Sequence, residues 1–165
     1  MSADPLSTLA SQVGARLKER GLRLATAESC TGGWVAQAVT SVGGSSEWFD
    51  RGFVTYSNAA KEEMLAVQAA TLQTWGAVSE PTAREMAAGA LAHSRAQIAL
   101  AVTGVAGPTG GTPEKPVGMV CFAWASRRGE PRSLTHRFAG DRESVRRQSV
   151  IAALQGLLER LEAVE

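Results

Sequence analysis

Apolar residues recur at helical spacing along the first twenty positions: Leu6, Leu9, Val13 and Leu17 share a face, after Asp4-Pro5 and before Gly21. A capping aspartate, a proline in the first turn and a closing glycine mark both ends of a helix. The period then changes. Residues 22–27 have the length and make-up of a strand, and beyond Ser29 the positions Val35, Ala36, Val39 and Val42 trace one face of a second helix, which Gly43-Gly44 ends. Gly52-Phe53-Val54-Thr55-Tyr56, rich in β-branched and aromatic residues, predicts a second strand. Asn58 reads as the cap of a short helix that carries Lys61, Met64 and Leu65. Residues 71–75 add a turn or two of helix, stopped by Gly76. Ser79 caps a longer helix whose apolar side is Met86, Ala87, Ala90 and Leu91.

Residues 98–102 are apolar at every position and residues 117–125 nearly so, as expected for interior strands covered on both faces. Residues 134–138 return beside the second of these through a turn around Arg128-Gly129-Glu130-Pro131. Asp141 caps the last helix, and Val145, Val150, Leu154, Leu157, Leu158 and Leu161 form its stripe. Helices alternating with strands, followed by a hairpin, predict an α/β fold: a single layered α/β/α domain over residues 1–165 with a mixed, mostly parallel sheet. A chain of 165 residues can bury a real core without metal or disulfide staples.

Charge narrows the partners. Seventeen basic residues against sixteen acidic ones leave a formal net charge of +1, and the local cluster Arg142, Arg146 and Arg147 is too small for a duplex-binding face. Four scattered tryptophans do not make a stacking platform for single strands, so no nucleic-acid partner is expected. Cys30 and Cys121 lack CxxC spacing, and His93 and His136 stand apart, which argues against a metal site and fits a reducing compartment. No apolar run approaches membrane-spanning length and no leader pattern opens the chain. The expected setting is cytoplasmic, with no membrane partner.

The chemistry centres on Glu28-Ser29-Cys30-Thr31-Gly32-Gly33, where a strand passes into a helix through a hydroxyl-rich turn. Free backbone N–H groups and a serine at such a junction can serve acyl transfer, although a serine before a helix is also a common cap. The segment is neither a G-x-S-x-G elbow nor a phosphate-binding P-loop. A serine nucleophile needs a base, and neither histidine falls in a candidate loop: His93 ends a helix and His136 sits within a strand. Lys61, five residues past Tyr56, is the remaining option, and it requires burial or a neighbouring cation to lower its pKa. Its alternative is a solvated helix lysine paired with Glu62 or Glu63. Cys30 reads either as a rival nucleophile or as a small buried hydrophobe. The glycine-rich loop 104–111 allows close backbone approach to a ligand, and Arg142 and Arg146 offer charge for an anion.

Six collinear motifs together resemble the C-terminal domain family of CinA proteins, from about Leu6 to Leu161: Ala27-Glu28-Ser29-Cys30-Thr31-Gly32-Gly33; Gly52 to Asn58 followed by Lys61; Gly76-Ala77-Val78-Ser79; Gly104 to Gly111; Lys115-Pro116-Val117-Gly118; and Gly140-Asp141-Arg142. Its stand-alone members, the nicotinamide-nucleotide amidases, are the closer match. The resemblance implies hydrolysis of the carboxamide of nicotinamide mononucleotide to nicotinic acid mononucleotide and ammonia in pyridine nucleotide salvage, with no metal or other cofactor. Carried over by position, Ser29 is the expected nucleophile, Lys61 its base and Tyr56 a proton relay or an orienting group for the lysine. Thr103 and the loop with Gly104, Ala106 and Gly107 are expected to line the nucleotide site. Arg142, and Arg146 after it, are the expected phosphate partners. Thr31 is a candidate for a contact near the substrate, and Glu28 either positions Lys61 or the substrate or makes a buried structural hydrogen bond. Gly32 and Gly33 are expected oxyanion donors on physical grounds, from their place at the helix start. A homo-oligomer, dimer or higher, is expected. The alternative is a nucleotide- or partner-binding protein without turnover, linked to competence or DNA damage.

Overall fold

Asp4 opens the first helix as its sequence requires: its carboxylate accepts the N–H of Leu6 at 3.1 Å, and Gly21 closes the helix at a φ of 65°. The computed structural model describes residues 4–163. The leaderless start expected for residues 1–3 lies outside that range. In chain order the elements are α1 (Pro5–Arg20), β1 (Leu24–Glu28), α2 (Trp34–Thr40), a 3-10 turn (Ser45–Glu47), β2 (Phe49–Val54), α3 (Asn58–Leu65), α4 (Ala69–Trp75), α5 (Glu80–Ala92), β3 (Ile98–Gly104), β4 (Met119–Ser126), β5 (Arg132–Arg137) and α6 (Arg142–Ala163).

The five strands form one mixed sheet in the order β2-β1-β3-β4-β5. β1 pairs in parallel with β2 and β3, and the antiparallel pairs β3–β4 and β4–β5 complete the sheet. Four strands therefore run one way and β4 the other. Helices cover both faces. Leu24, Leu100, Val102, Phe122 and Trp124 pack with α1, α2 and α6, whereas Ala25, Ala27, Ala99, Ala101, Cys121 and Ala123 meet α5 and the ends of α3 and α4. Large side chains fill one layer. On the other face alanines bring helices close to the sheet, and α5 and α3 touch so tightly that a Cβ on Gly89 would lie 2.0 Å from the carbonyl oxygen of Leu65.

Element ends shift by a few residues from the sequence expectation, and three of these shifts have a local reason. β2 begins three residues early and stops at Val54, because its register follows β1, where Glu28 pairs with Val54. α2 stops at Thr40, ahead of Gly43-Gly44, and the hydroxyl of Thr40 donates back to Ala36 at 2.7 Å. Ser57, not Asn58, caps α3: it is extended and its hydroxyl accepts the N–H of Ala60 at 3.0 Å, which makes Asn58 the first helical residue. Among the described residues no helix is long and apolar enough to cross a membrane.

β1 occupies the point where the strand order reverses, with β2 on one side and β3 on the other. Loops leaving the carboxyl ends of adjacent parallel strands diverge at such a point and open a crevice. Ser29 is the first residue past the carboxyl end of β1, and its N–H donates to the carbonyl of Val102 on β3 at 2.9 Å.

Candidate active site

Glu28 ends β1 fully buried, and its carboxylate organises the turn into α2. It accepts the hydroxyl of Thr31 at 2.6 Å and the N–H groups of Gly33, Val35 and Ala36 at 3.2, 2.8 and 3.0 Å. A buried carboxylate is tolerated when its lone pairs are filled in this way, and here the donors are the otherwise unsatisfied groups at the start of α2. Of the two readings of Glu28, the buried structural hydrogen bond is the one this geometry matches, since its carboxylate accepts from Thr31, Gly33, Val35 and Ala36. Glu28 fixes the turn that presents Ser29.

The turn itself closes through the N–H of Gly32, which donates to the carbonyl of Ser29 at 3.0 Å. Gly32 and Gly33 adopt φ values of 58° and 104°, which other residues reach only with strain. These N–H groups are both committed, to Ser29 and to Glu28, so the two glycines serve the backbone path and do not fill the oxyanion role expected of them. The N–H of Thr31 takes no acceptor among the described residues, and that of Cys30 is directed only at its own thiol and at no other residue among those described. Thr31, expected near the substrate, has its side chain fully buried with its hydroxyl donating to Glu28.

Ser29 is half-buried, and Lys61 on α3 comes to it from across the crevice. The amine of Lys61 lies 3.2 Å from the hydroxyl oxygen of Ser29 and donates to the carbonyl of Thr55 at 3.1 Å. Side chains on a helix lean toward its N-terminus, so a lysine in the first turn of α3 reaches back over the segment that leads in from β2. Lys61 is 2% exposed and forms no ion pair among the described residues. Burial pulls its pKa below the usual lysine value, an effect that a neighbouring Cys30 thiolate would only partly oppose. The alternative of a solvated lysine paired with Glu62 or Glu63 does not hold. A neutral amine in this place can take a proton from the serine hydroxyl.

Cys30 is buried, and desolvation pushes its thiol up to about 12, against the weaker pull of its own N–H, so it is the small buried hydrophobe of the two readings. Tyr56 does not reach Lys61. Its exposed hydroxyl accepts from the guanidinium of Arg142 at 2.8 Å, because β2 has ended two residues earlier and the ring turns outward. Arg142 also donates to the carbonyl of Gly107 at 2.9 Å, and with Ala106, Pro108, Val117, Gly140, Asp141 and Glu143 it lines a cavity of about 500 Å³.

Three further expectations change. Arg146 donates from Nε to the carbonyl of Cys30 at 3.0 Å and from a terminal nitrogen to that of Thr31 at 3.1 Å, with its guanidinium 5.6 Å from the ring centre of Trp34. It is bound to the serine turn and is not placed as a second phosphate partner. The hydroxyl of Thr103 is buried and donates to the carbonyl of Ala77 at 2.9 Å, holding the segment before α5 rather than lining a ligand site. Gly104 is the last residue of β3 and faces β4, where a Cβ would meet the carbonyl oxygen of Met119 at 2.8 Å. Thr55 was invisible to sequence reasoning because its contribution is a main-chain carbonyl, which any residue type would supply.

The chain is similar throughout to proteins of one family. A family model described as "CinA C-terminal domain" matches residues 6–161. Nicotinamide-nucleotide amidohydrolase PncC of Escherichia coli (strain K12) is 55% identical over 157 residues, covering 95% of each chain, and that of Pseudomonas putida is 51% identical over 156 residues, covering 94% of this chain and 97% of the relative. Among solved structures, the competence/damage inducible protein CihA from Agrobacterium tumefaciens superposes with a TM-score of 0.93 at 46% identity, covering 98% of both chains. A CinA superfamily protein from Klebsiella pneumoniae gives 0.93 at 42% identity, covering 96% of this chain and 99% of its own.

Proposed function

Because this chain belongs to the CinA C-terminal domain family, we propose that it is a nicotinamide-nucleotide amidase, hydrolysing the carboxamide of nicotinamide mononucleotide to nicotinic acid mononucleotide and ammonia. The near full-length relatives named for that activity support the substrate. One observation carries the chemistry: a buried lysine amine without a carboxylate partner among the described residues, 3.2 Å from a half-buried serine hydroxyl.

In this mechanism Ser29 is the nucleophile and Lys61 its base. The neutral amine takes the hydroxyl proton as the serine oxygen bonds to the carboxamide carbon, giving a tetrahedral oxyanion. The N–H groups of Cys30 and Thr31 are the donors left to hold that oxyanion. Lys61 returns the proton to the departing nitrogen, ammonia leaves, and an acyl ester remains on Ser29. Water, deprotonated by the same amine, cleaves the ester, releasing the carboxylate product and restoring the serine. The carbonyl of Thr55 accepts from the lysine throughout and keeps its nitrogen directed at the reacting atoms.

Arg142 is assigned to the substrate phosphate: it lines the cavity together with Ala106 and is held there by its bond to the carbonyl of Gly107. Tyr56 holds that guanidinium rather than relaying protons. The proposed setting is cytoplasmic pyridine nucleotide salvage, in a homo-oligomer of one-domain subunits.

Ammonia release from nicotinamide mononucleotide by the purified protein tests the activity, with Ser29→Ala as the control. Turnover by the wild type and a loss of about 10³-fold or more in the variant are expected. Binding of the nucleotide without ammonia release by the wild type would favour the non-catalytic alternative.

A further inference from the structure

Resting on that amidase reading, we infer that Arg146 is a positioning residue that orients and polarises the oxyanion donors, without itself touching substrate. It contacts the serine turn at two carbonyls, and each contact leads to one of the two N–H groups, of Cys30 and Thr31, that donate to no other residue among those described.

The first path is short. Nε of Arg146 donates to the carbonyl of Cys30 at 3.0 Å. That carbonyl shares a peptide plane with the N–H of Thr31, and in a trans peptide the two point in opposite directions. Holding the oxygen toward Arg146 turns the Thr31 N–H away from it. The second path has one more link. A terminal nitrogen of Arg146 donates to the carbonyl of Thr31 at 3.1 Å, whose peptide carries the N–H of Gly32; that N–H donates to the carbonyl of Ser29 at 3.0 Å, whose peptide carries the N–H of Cys30. Both donors thus stand at the end of a chain of peptide dipoles that begins on one guanidinium.

A cation on a carbonyl oxygen draws electron density through the amide, and hydrogen-bonded chains reinforce one another in a low-dielectric interior. Each N–H becomes a stronger donor at the place where negative charge would develop. Glu28 holds the same turn from the other side but accepts only from Thr31, Gly33, Val35 and Ala36, so it leaves these two N–H groups alone. Arg146 is itself set by the ring of Trp34 beneath it, and its place on α6, one turn past Arg142, puts it over the serine turn rather than over the cavity that Arg142 lines.

The test is Arg146→Ala beside Arg146→Lys, which keeps the charge but cannot span both carbonyls as a fork. Loss of an oxyanion donor typically costs about 10²- to 10³-fold in kcat. The expected result for Arg146→Ala is a fall in kcat of about that size with KM within about threefold, partial recovery on adding guanidinium at low millimolar concentration, and an intermediate kcat for Arg146→Lys. The rate of covalent labelling of Ser29 by a fluorophosphonate reads the same donors without the nucleotide, because the phosphoryl oxygen takes the oxyanion place. It should fall in parallel. A raised KM at unchanged kcat, or unaltered labelling in a folded variant, would overturn the inference. Should the alanine variant fail to fold, a lysine variant with wild-type kcat and labelling overturns it equally. Failure of the amidase reading would look different: the wild type would release no ammonia, while the effect of Arg146 on labelling would still be measurable.

Discussion

The amine of Lys61 stands 3.2 Å from the hydroxyl oxygen of Ser29, although the two are 32 positions apart in the chain. Parallel pairing of β1 with β2 makes the contact: Ser29 follows one strand, Lys61 lies in the first turn of the helix after the other, and both strands end at the same edge of the sheet.

Burial depresses the pKa of Lys61, and this has a sign that can be checked in two ways. As the base it must be neutral, so kcat/KM should rise with pH along a limb whose midpoint lies below the usual lysine value of 10.5. Between the depressed value and 10.5 the unfolded chain binds a proton that the folded one does not, so stability rises with pH across that window, and the cost of charging the buried amine is fully present below it. Lys61→Met should lose about 10²- to 10⁴-fold in rate. Urea titrations at several pH values should show its stability relative to wild type improving as pH falls from 10.5.

Glu28→Ala removes the acceptor of three N–H groups and one hydroxyl at a buried site. At roughly 1 kcal/mol or more for each stranded donor, the variant should be destabilised by about 3–5 kcal/mol in urea unfolding. Glu28→Gln keeps one acceptor oxygen and should fall between. A variant as stable as wild type would mean that the turn does not depend on this carboxylate.

Arg142→Ala should raise KM for the nucleotide by about 10- to 100-fold, the worth of a charged hydrogen bond, while leaving turnover of the corresponding nucleoside unchanged. Tyr56→Phe, which deletes only the hydroxyl bonded to Arg142, should raise KM modestly and hold kcat within about threefold. A collapse of kcat in Tyr56→Phe would restore the proton-relay role that the pairing of its hydroxyl with Arg142, and of Lys61 with Ser29 and Thr55, argues against.

With its thiol pushed up to about 12 by burial, Cys30 should not react with iodoacetamide at pH 8 in the folded protein, and Cys30→Ala should keep most of the activity. Inactivation of the wild type that tracks alkylation of Cys30 would move the nucleophile from Ser29 to its neighbour.

The elements themselves were legible because periodicity and caps are local. Asp4, Pro5 and Gly21 bracket α1 whatever the rest of the chain does, and an all-apolar run as short as residues 98–102 reads as an interior strand. The residues of the turn at Ser29, the lysine after β2 and the arginine at the start of α6 were legible as a set because family motifs record which positions recur together. What each of them touches was not. Arg142 and Arg146 look alike in sequence, one helical turn apart, yet α6 carries one to Tyr56 and Gly107 and the other to the carbonyls of Cys30 and Thr31. Glu28, Gly32 and Gly33 sit where a ligand contact was expected, but their hydrogen-bonding capacity is taken up by the chain itself. Sequence alone determined which residues gather at the end of β1; only the tertiary structure decided which of their donors and acceptors remain free, because backbone hydrogen bonding depends on the path of the chain in space and not on residue identity.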